Sequence, residues 1–349
     1  MAGLKGGGDF FALDVGSTSV RVVQLSRGGD GSFSLQNFGY ASTDIKTTSS
    51  STPEDQRRLG EVIMTAIGQS GIRTKNVVIG LPSSKTFTTV IEVPLMSDAE
   101  LKSTLKYQID QYIPMSSADA KFDYVSLGPS PRDPKQLEVL ISSTANQYAE
   151  DRLEFIESLG LNVIAAEPEP LAMVRSLLPA GIQDARLIID MGELSTDIAV
   201  TFGDAPRLVR TIPTGLQTLV RTAVQNLNVG EAQARQFILK FGLAPDKLDG
   251  QVFRALEPAL DTFSGELIKS VKFFQTRYPN SQLGGIMLSG FTSVLPMFGE
   301  YLASKTQVAA VIANPWQKVK VGAAEQQQLA SMASEFAVAL GLAERMNLL

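Results

Sequence analysis

The sequence predicts an α/β protein of two related lobes, with a small α+β unit inserted in the first. Three observations carry this reading. An Asp-x-Gly tripeptide closes an apolar run twice, at Asp14-Val15-Gly16 and at Asp190-Met191-Gly192, 190 − 14 = 176 residues apart in a chain of 349. Each tripeptide is followed by small hydroxyl residues and a second apolar run, Ser17-Thr18-Ser19 in one case and Ser195-Thr196 in the other. Repetition at half the chain length marks a duplicated lobe. Third, residues 83–163 read in order as strand, helix, strand, strand, helix, strand, a module of its own.

The first lobe opens with strands at Phe10–Asp14, Val20–Leu25 and Ser32–Ala41. Ser42–Gln56 is rich in Ser and Thr and reads as a polar loop. A helix runs from Pro53 to about Ser70, with Pro early, where its missing N–H costs little, and Gly71 as the stop. Asn76–Leu81 is a buried strand. In the insert, Thr86–Val93 is a strand. Ser97-Asp98-Ala99-Glu100 is a capping box that opens a helix with Leu101, Leu105, Ile109 and Ile113 on one face, ended by Pro114. Strands follow at Phe122–Leu127 and Gln136–Ala145, a helix at Gln147–Leu159 and a strand at Asn162–Ala166.

The second lobe restarts with strands at Arg186–Asp190, Thr196–Phe202 and Leu208–Pro213. Helices are expected at Gly215–Asn226, Gly230–Phe241 and Asp246–Tyr278, then a strand at Gly285–Leu288, a helix at Val294–Ser304 and a strand at Val308–Ile312. A single Ala-rich helix is expected over Ala324–Arg345.

Composition narrows the chemistry. The chain has no cysteine and no histidine. Disulfides, thiolate zinc sites, iron–sulfur clusters, thiol nucleophiles and imidazole bases are therefore excluded. What remains is carboxylates, Lys and Arg, hydroxyls, backbone amides and a hard cation such as Mg2+, the groups that handle phosphates. The net charge of −5 with no long basic run argues against nucleic acid as a partner. The apolar runs, Val308–Ala313 among the longest, fall far short of the roughly 18 residues of a membrane span. Met1–Asp9 has one Lys, four Gly and no apolar stretch, so it does not read as a signal peptide but as a flexible leader. A cytoplasmic location is the expectation.

The repeated hairpins suit a phosphate. A glycine at a hairpin tip lets backbone N–H groups approach phosphate oxygens, and Ser or Thr hydroxyls add donors. A carboxylate at each strand end, Asp14 and Asp190, can hold hydrated Mg2+ between the lobes. Arg21 can reach a phosphate as a cation. The plainer alternative is two hairpins with ordinary Asp-Gly turns and no ligand.

At this point the sequence resembles the actin-like ATPase superfamily, whose members pair two ribonuclease-H-like lobes. The segments are Leu13–Arg21 (first phosphate hairpin), Ile189–Asp197 (second), Glu167-Pro168-Glu169-Pro170-Leu171-Ala172 (connector), Ile286–Pro296 (adenosine segment) and Ala337–Ala343 (second connecting helix). Val93–Lys102, Gln111-Tyr112-Ile113-Pro114 and Phe122-Asp123-Tyr124 resemble the FtsA-type subdomain of the PilM family of type IV pilus proteins, and Asn314-Pro315 also fits. The resemblance spans Phe10–Arg345. It implies a two-lobe actin-like fold divided into 1–9 (leader), 10–82 with 164–180 (lobe I core), 83–163 (insert), 181–225 with 284–349 (lobe II core) and 226–283 (a further subdomain of lobe II).

The resemblance also implies roles. Asp14 and Asp190 would orient Mg2+ and water. Gly16, Ser17, Thr18, Ser19, Gly192 and Thr196 would hold the phosphates of ATP, with Arg21 where relatives usually carry Lys. Glu231 and Arg235, at i and i+4, look like the pair that contacts ribose and adenine, or else a plain surface ion pair. Gly215, Gly290 and Phe291 would line the nucleotide path. Glu169 matches a position that orients attacking water in some relatives, though a Pro-flanked connector needs no such role. Departures accompany these matches: Leu216, Phe291, Thr292, Glu193 and Leu194 stand where relatives often have glycine, and Glu193 brings a negative charge near the phosphates. Binding with slow or absent hydrolysis is the expectation.

The implied partner is the short cytoplasmic N-terminal peptide of a PilN-like inner-membrane protein, typically carrying Asn-Leu-Leu-Pro, so the membrane would be reached only through partners. The chain itself ends Asn347-Leu348-Leu349, which either imitates that peptide on a neighbouring copy or is a frayed helix end. An FtsA-like filament-forming cell-division protein is the alternative, disfavoured because Ala324–Arg345 lacks the basic amphipathic character of a membrane helix. A sugar kinase of the same fold lacks a further substrate carboxylate motif.

Overall fold

The computed structural model describes residues 9–329 and 332–345. The first lobe is built on β1 (Phe11–Val15), β2 (Ser19–Arg27), β3 (Phe33–Ser42) and β4 (Asn76–Leu81). β2 pairs antiparallel with β1 and β3, and β4 lies parallel to β1. β1 is buried on both faces, which is why it reads as an unbroken apolar run. The helix Pro53–Ser70 covers one face; the Thr52 side chain accepts from the Asp55 N–H, and Gly71, at φ 79°, ends it. Its Leu59, Ile63 and Ala66 pack on Phe11, Leu13, Val20 and Val22. The Ser42–Gln56 stretch, expected to be loop, holds a short helix, Ile45–Ser49, capped by Asp44. The Thr48 hydroxyl donates to the Ser17 carbonyl at 2.9 Å, anchoring that helix to the first hairpin tip.

The insert has its own sheet, β5 (Thr86–Pro94), β6 (Ala120–Pro129) and β7 (Gln136–Ala145), antiparallel in the order β5-β7-β6. Its helix Asp98–Gln108 opens with the expected Ser97/Glu100 capping box. Leu101, Leu105, Ile109 and Ile113 are buried against Ile91, Val93, Val139 and Ile141. The helix Asn146–Ser158 leads into β8 (Asn162–Pro168), which returns to lobe I parallel to β4.

Lobe II contains β9 (Ala185–Met191), β10 (Thr196–Phe202), β11 (Ala205–Ile212), β12 (Leu283–Gly290) and β13 (Ala310–Ile312), in the order β11-β10-β9-β12-β13. Lobe I repeats this as β3-β2-β1-β4-β8, with the same sequence of antiparallel and parallel pairings. The duplication read from two tripeptides is thus a duplicated sheet. Helices Leu216–Leu227, Glu231–Phe241 and Gln251–Arg277 fill the connection between β11 and β12.

Three further expectations change. The helix expected over Val294–Ser304 begins only at Phe298, after Met297 at φ 62°, and ends at Thr306. Pro296 disfavours helix at the residue before it, and its carbonyl accepts instead from the Leu243 N–H at 2.9 Å. The single C-terminal helix is broken into Ala323–Leu329, a 3-10 turn at Ala333–Phe336 and Ala337–Ala343. The turn seats Phe336 against Phe38 and Trp316, with ring centroids 5.9 and 5.7 Å away.

The third change concerns the division of the chain: residues after Asn314, expected in the lobe II core, cross to lobe I. β14 (Val319–Lys320) pairs parallel with β3. Trp316, Phe336, Leu340 and Leu342 cover the second face of the lobe I sheet, where Ala12, Val23 and Val78 point. Strand alternation makes both faces of that sheet apolar, and the Pro53–Ser70 helix covers only one. Among the described residues no helix is long and apolar enough to cross a membrane.

Candidate functional site

The two hairpins are equivalent in detail. The Gly16 N–H donates to the Ser19 carbonyl at 3.0 Å, and the Gly192 N–H to the Ser195 carbonyl at 2.8 Å. Asp14 lies opposite Arg21 in the β1–β2 register, and Asp190 lies opposite Asp197 in the β9–β10 register. Arg21 and Asp197 are therefore the same position, 197 − 21 = 176 residues apart, filled by opposite charges.

That inversion sets the electrostatics. Arg21 donates to Asp14 at 3.1 Å and to Glu335 at 3.0 Å. Burial pushes the Asp14 carboxyl up, and the Arg21 guanidinium opposes it. Asp190 has no cation across the ladder. Burial and then the Asp197 charge push it up to about 7, while a hydrogen bond from Ser289 pulls the other way. Asp197 is also raised by burial, and hydrogen bonds from Thr211 at 2.7 Å and Ser83 at 2.8 Å oppose that. The Ser83 contact crosses from the root of the insert to lobe II. Glu169, first residue of the helix Glu169–Leu177, is raised well above the carboxylate range by burial and by the charges of Asp14, Asp197 and Asp190, against Arg152.

Asp14, Asp190 and Glu169 are thus brought together. Glu335, Arg152 and Asp197 complete the site. Asp197 stands at the end of the second hairpin motif, and the 176-residue offset that relates it to Arg21 was the signal for it. Nothing local marks Glu335 or Arg152.

The other predicted residues divide. Gly16, Ser17 and Thr18 form the first tip, and Gly192 the second. Ser19 is buried with its hydroxyl unpartnered. The Thr196 hydroxyl, buried, donates to the Thr214 carbonyl at 2.6 Å, so it is a structural tie and not a free phosphate donor. Gly215 caps the helix Leu216–Leu227 against the Glu193 backbone. Gly290, at φ 58°, turns the chain tightly beside Asp190; a Cβ there would lie 2.5 Å from the Asp190 carboxylate and 2.4 Å from the Met191 carbonyl. Glu231 and Arg235 do not pair with each other: Glu231 is exposed in the first turn of its helix, and Arg235 reaches Glu193 at 2.5 Å. The Arg235 guanidinium also stands 6.0 Å from the Phe291 ring centroid. The Asn347-Leu348-Leu349 tail and most of the 1–9 leader lie outside the described residues.

The donor set fits hydrated Mg2+. The clustered carboxylates, Asp14 buried and Asp190, Asp197 and Glu169 half-buried, raise one another and are short of positive charge. Among the described residues no three acidic side chains form a complete metal cage. Mg2+ keeps several waters and takes one or two carboxylates plus phosphate oxygens, so it needs no such cage. Asp14 and Asp190 are the residues that would hold it.

Two duplicated sheets with paired Asp-x-Gly hairpins at their junction define an actin-like protein of the two-lobe ATPase fold. Solved structures agree on that fold. The PilM-PilN type IV pilus biogenesis complex matches with a TM-score of 0.78 at 23% identity, over 96% of this chain and 98% of that one. The ethanolamine utilization protein EutJ from Carboxydothermus hydrogenoformans matches with 0.55 at 14% identity, over 96% and 88%. MreB5 of Spiroplasma citri bound to ADP matches with 0.53 at 12% identity, over 96% and 95%. The family model for the type IV pilus assembly protein PilM matches residues 12–347. The chain belongs to the PilM family of type IV pilus assembly proteins.

Proposed function

We propose that this chain is a cytoplasmic adaptor of the pilus assembly platform, peripheral to the inner face of the membrane, that binds Mg-ATP between its lobes and the N-terminal peptide of a PilN-like membrane protein. The carrying observation is the pair of hairpins with matching register and tip hydrogen bonds, with Asp14 and Asp190 in one electrostatic cluster short of positive charge. Mg2+ would supply that charge and neutralise phosphate. Gly16, Ser17, Thr18 and Gly192 would cradle the phosphates, and Gly290 and Phe291 would border the base. A nucleotide in this place is supported by the ADP named with MreB5, and a PilN partner by the complex named above.

Hydrolysis is slow or absent in this reading. Glu193 and Leu194 put a carboxylate and an apolar side chain into the second hairpin, and the Glu193 charge stands beside the phosphate path. Calorimetry with Mg-ATP tests the first half: heat that vanishes with EDTA and in Asp190→Asn is expected, and no heat at high micromolar protein sinks it. Fluorescence anisotropy with a labelled PilN-type N-terminal peptide tests the second; no change at saturating protein refutes the adaptor role.

A further inference from the structure

We infer that Glu193 and Arg235 form a clasp which holds the base end of the cleft in a self-occupied state, so that Arg235 must be shared with or surrendered to an incoming nucleotide. The inference rests on the nucleotide reading above and concerns the regulation of that same site. Glu193 directly follows the glycine of the second hairpin, and its side chain is only 5% exposed. One carboxylate oxygen accepts from Arg235 at 2.5 Å, and the other is buried without a hydrogen-bond partner. Arg235 stands over Phe291, 6.0 Å from its ring centroid, within cation–π range. Phe291 follows Gly290, which turns beside Asp190. An anion, a cation and an aromatic face, the three kinds of group a nucleotide engages or avoids, here engage one another.

The charges decide the consequence. A buried carboxylate stripped of its partner is strongly unfavourable. Arg235 therefore cannot leave Glu193 freely, and a ligand carrying phosphate adds negative charge beside the same carboxylate. The clasp opposes nucleotide through both effects, and Gln at position 193 removes both while keeping the shape of the side chain.

The test is titration of a fluorescent ATP analogue with Mg2+ into the full chain, its Glu193→Gln and Arg235→Gln variants and the double variant, each checked by circular dichroism to be folded with a cooperative melt. Glu193→Gln is expected to bind about tenfold more tightly, roughly 1.4 kcal/mol. Arg235→Gln is expected to bind more weakly, and the double variant to gain little over it, because part of the gain comes from the released guanidinium. Binding by the unaltered chain with Glu193→Gln equal or weaker overturns the clasp and leaves the nucleotide reading standing. Binding by Glu193→Gln alone supports both. Absence of binding in all four proteins defeats the nucleotide reading, and the clasp falls with it.

Discussion

The Tyr278 hydroxyl, at the end of the long helix of lobe II, donates at 2.5 Å to Glu138, in the central strand of the insert. Glu138 is fully buried and also pairs with Arg207 of β11 at 2.9 Å. The insert is covalently part of lobe I, yet its buried charge is neutralised by lobe II. Together with the Ser83–Asp197 bond, this makes the insert a strap across the two lobes.

Tyr278→Phe removes one hydrogen bond to a charged group and should cost about 1.5–3 kcal/mol. Glu138→Ala strands the Arg207 cation in the interior and should cost about 3–5 kcal/mol. Denaturant melts of both variants check this; a Glu138→Ala loss no larger than that of Tyr278→Phe would count against a buried ionic strap.

Asp190 makes the ligand-free chain more stable in mild acid. Its ordinary value is 3.8, and in the fold it rises to about 7. Between those values the folded state holds a proton that the unfolded state has lost, so stability falls as pH rises through this window. Glu169 and Asp14, also raised, add in the same direction. The melting temperature should be higher at pH 5.5 than at pH 8, by an amount worth roughly a few kcal/mol. Asp190→Asn should flatten the profile, and a melting temperature that climbs from pH 5.5 to 8 would contradict the assignment.

Arg21 holds Asp14, 7 residues away in the sequence, together with Glu335, 314 residues away. Arg21→Gln removes the only cation paired with Asp14 among the described residues. A loss of about 1–3 kcal/mol is expected at pH 8, and a smaller one at pH 5.5, where protonation of Asp14 takes over the role of the guanidinium. Equal losses at both pH values would place the role of Arg21 in packing.

Gly341 is where the helices Glu169–Leu177 and Ala337–Ala343 cross. A Cβ there would lie 1.8 Å from the Ala172 carbonyl oxygen. Gly341→Ala must push the helices apart and should cost about 3 kcal/mol, at the upper end for overpacking. A variant as stable as the parent would show that the crossing is slack.

The sequence by itself determined the duplicated α/β plan, the insert and the hairpins. These depend on local signals: apolar runs, the Ser97/Glu100 cap, and Asp-x-Gly at a repeat of 176. It also brought Asp14 and Asp190 to notice, because each closes an apolar run, while Glu169 came only from the family resemblance of its connector. Only the tertiary structure decided who neutralises whom. Arg235 turns to Glu193 instead of Glu231, Thr196 spends its hydroxyl on a backbone carbonyl, and Glu335 joins Arg21. It also moved the last segment to lobe I, because Ala12, Val23 and Val78 leave an apolar face that the helix Glu169–Leu177 covers only in part, through Ala172. Strand and helix periods are set within a few residues. Charge pairing and the covering of a second sheet face depend on groups far apart in the chain, 42 residues for Arg235 and Glu193 and 314 for Arg21 and Glu335, and no local pattern records them.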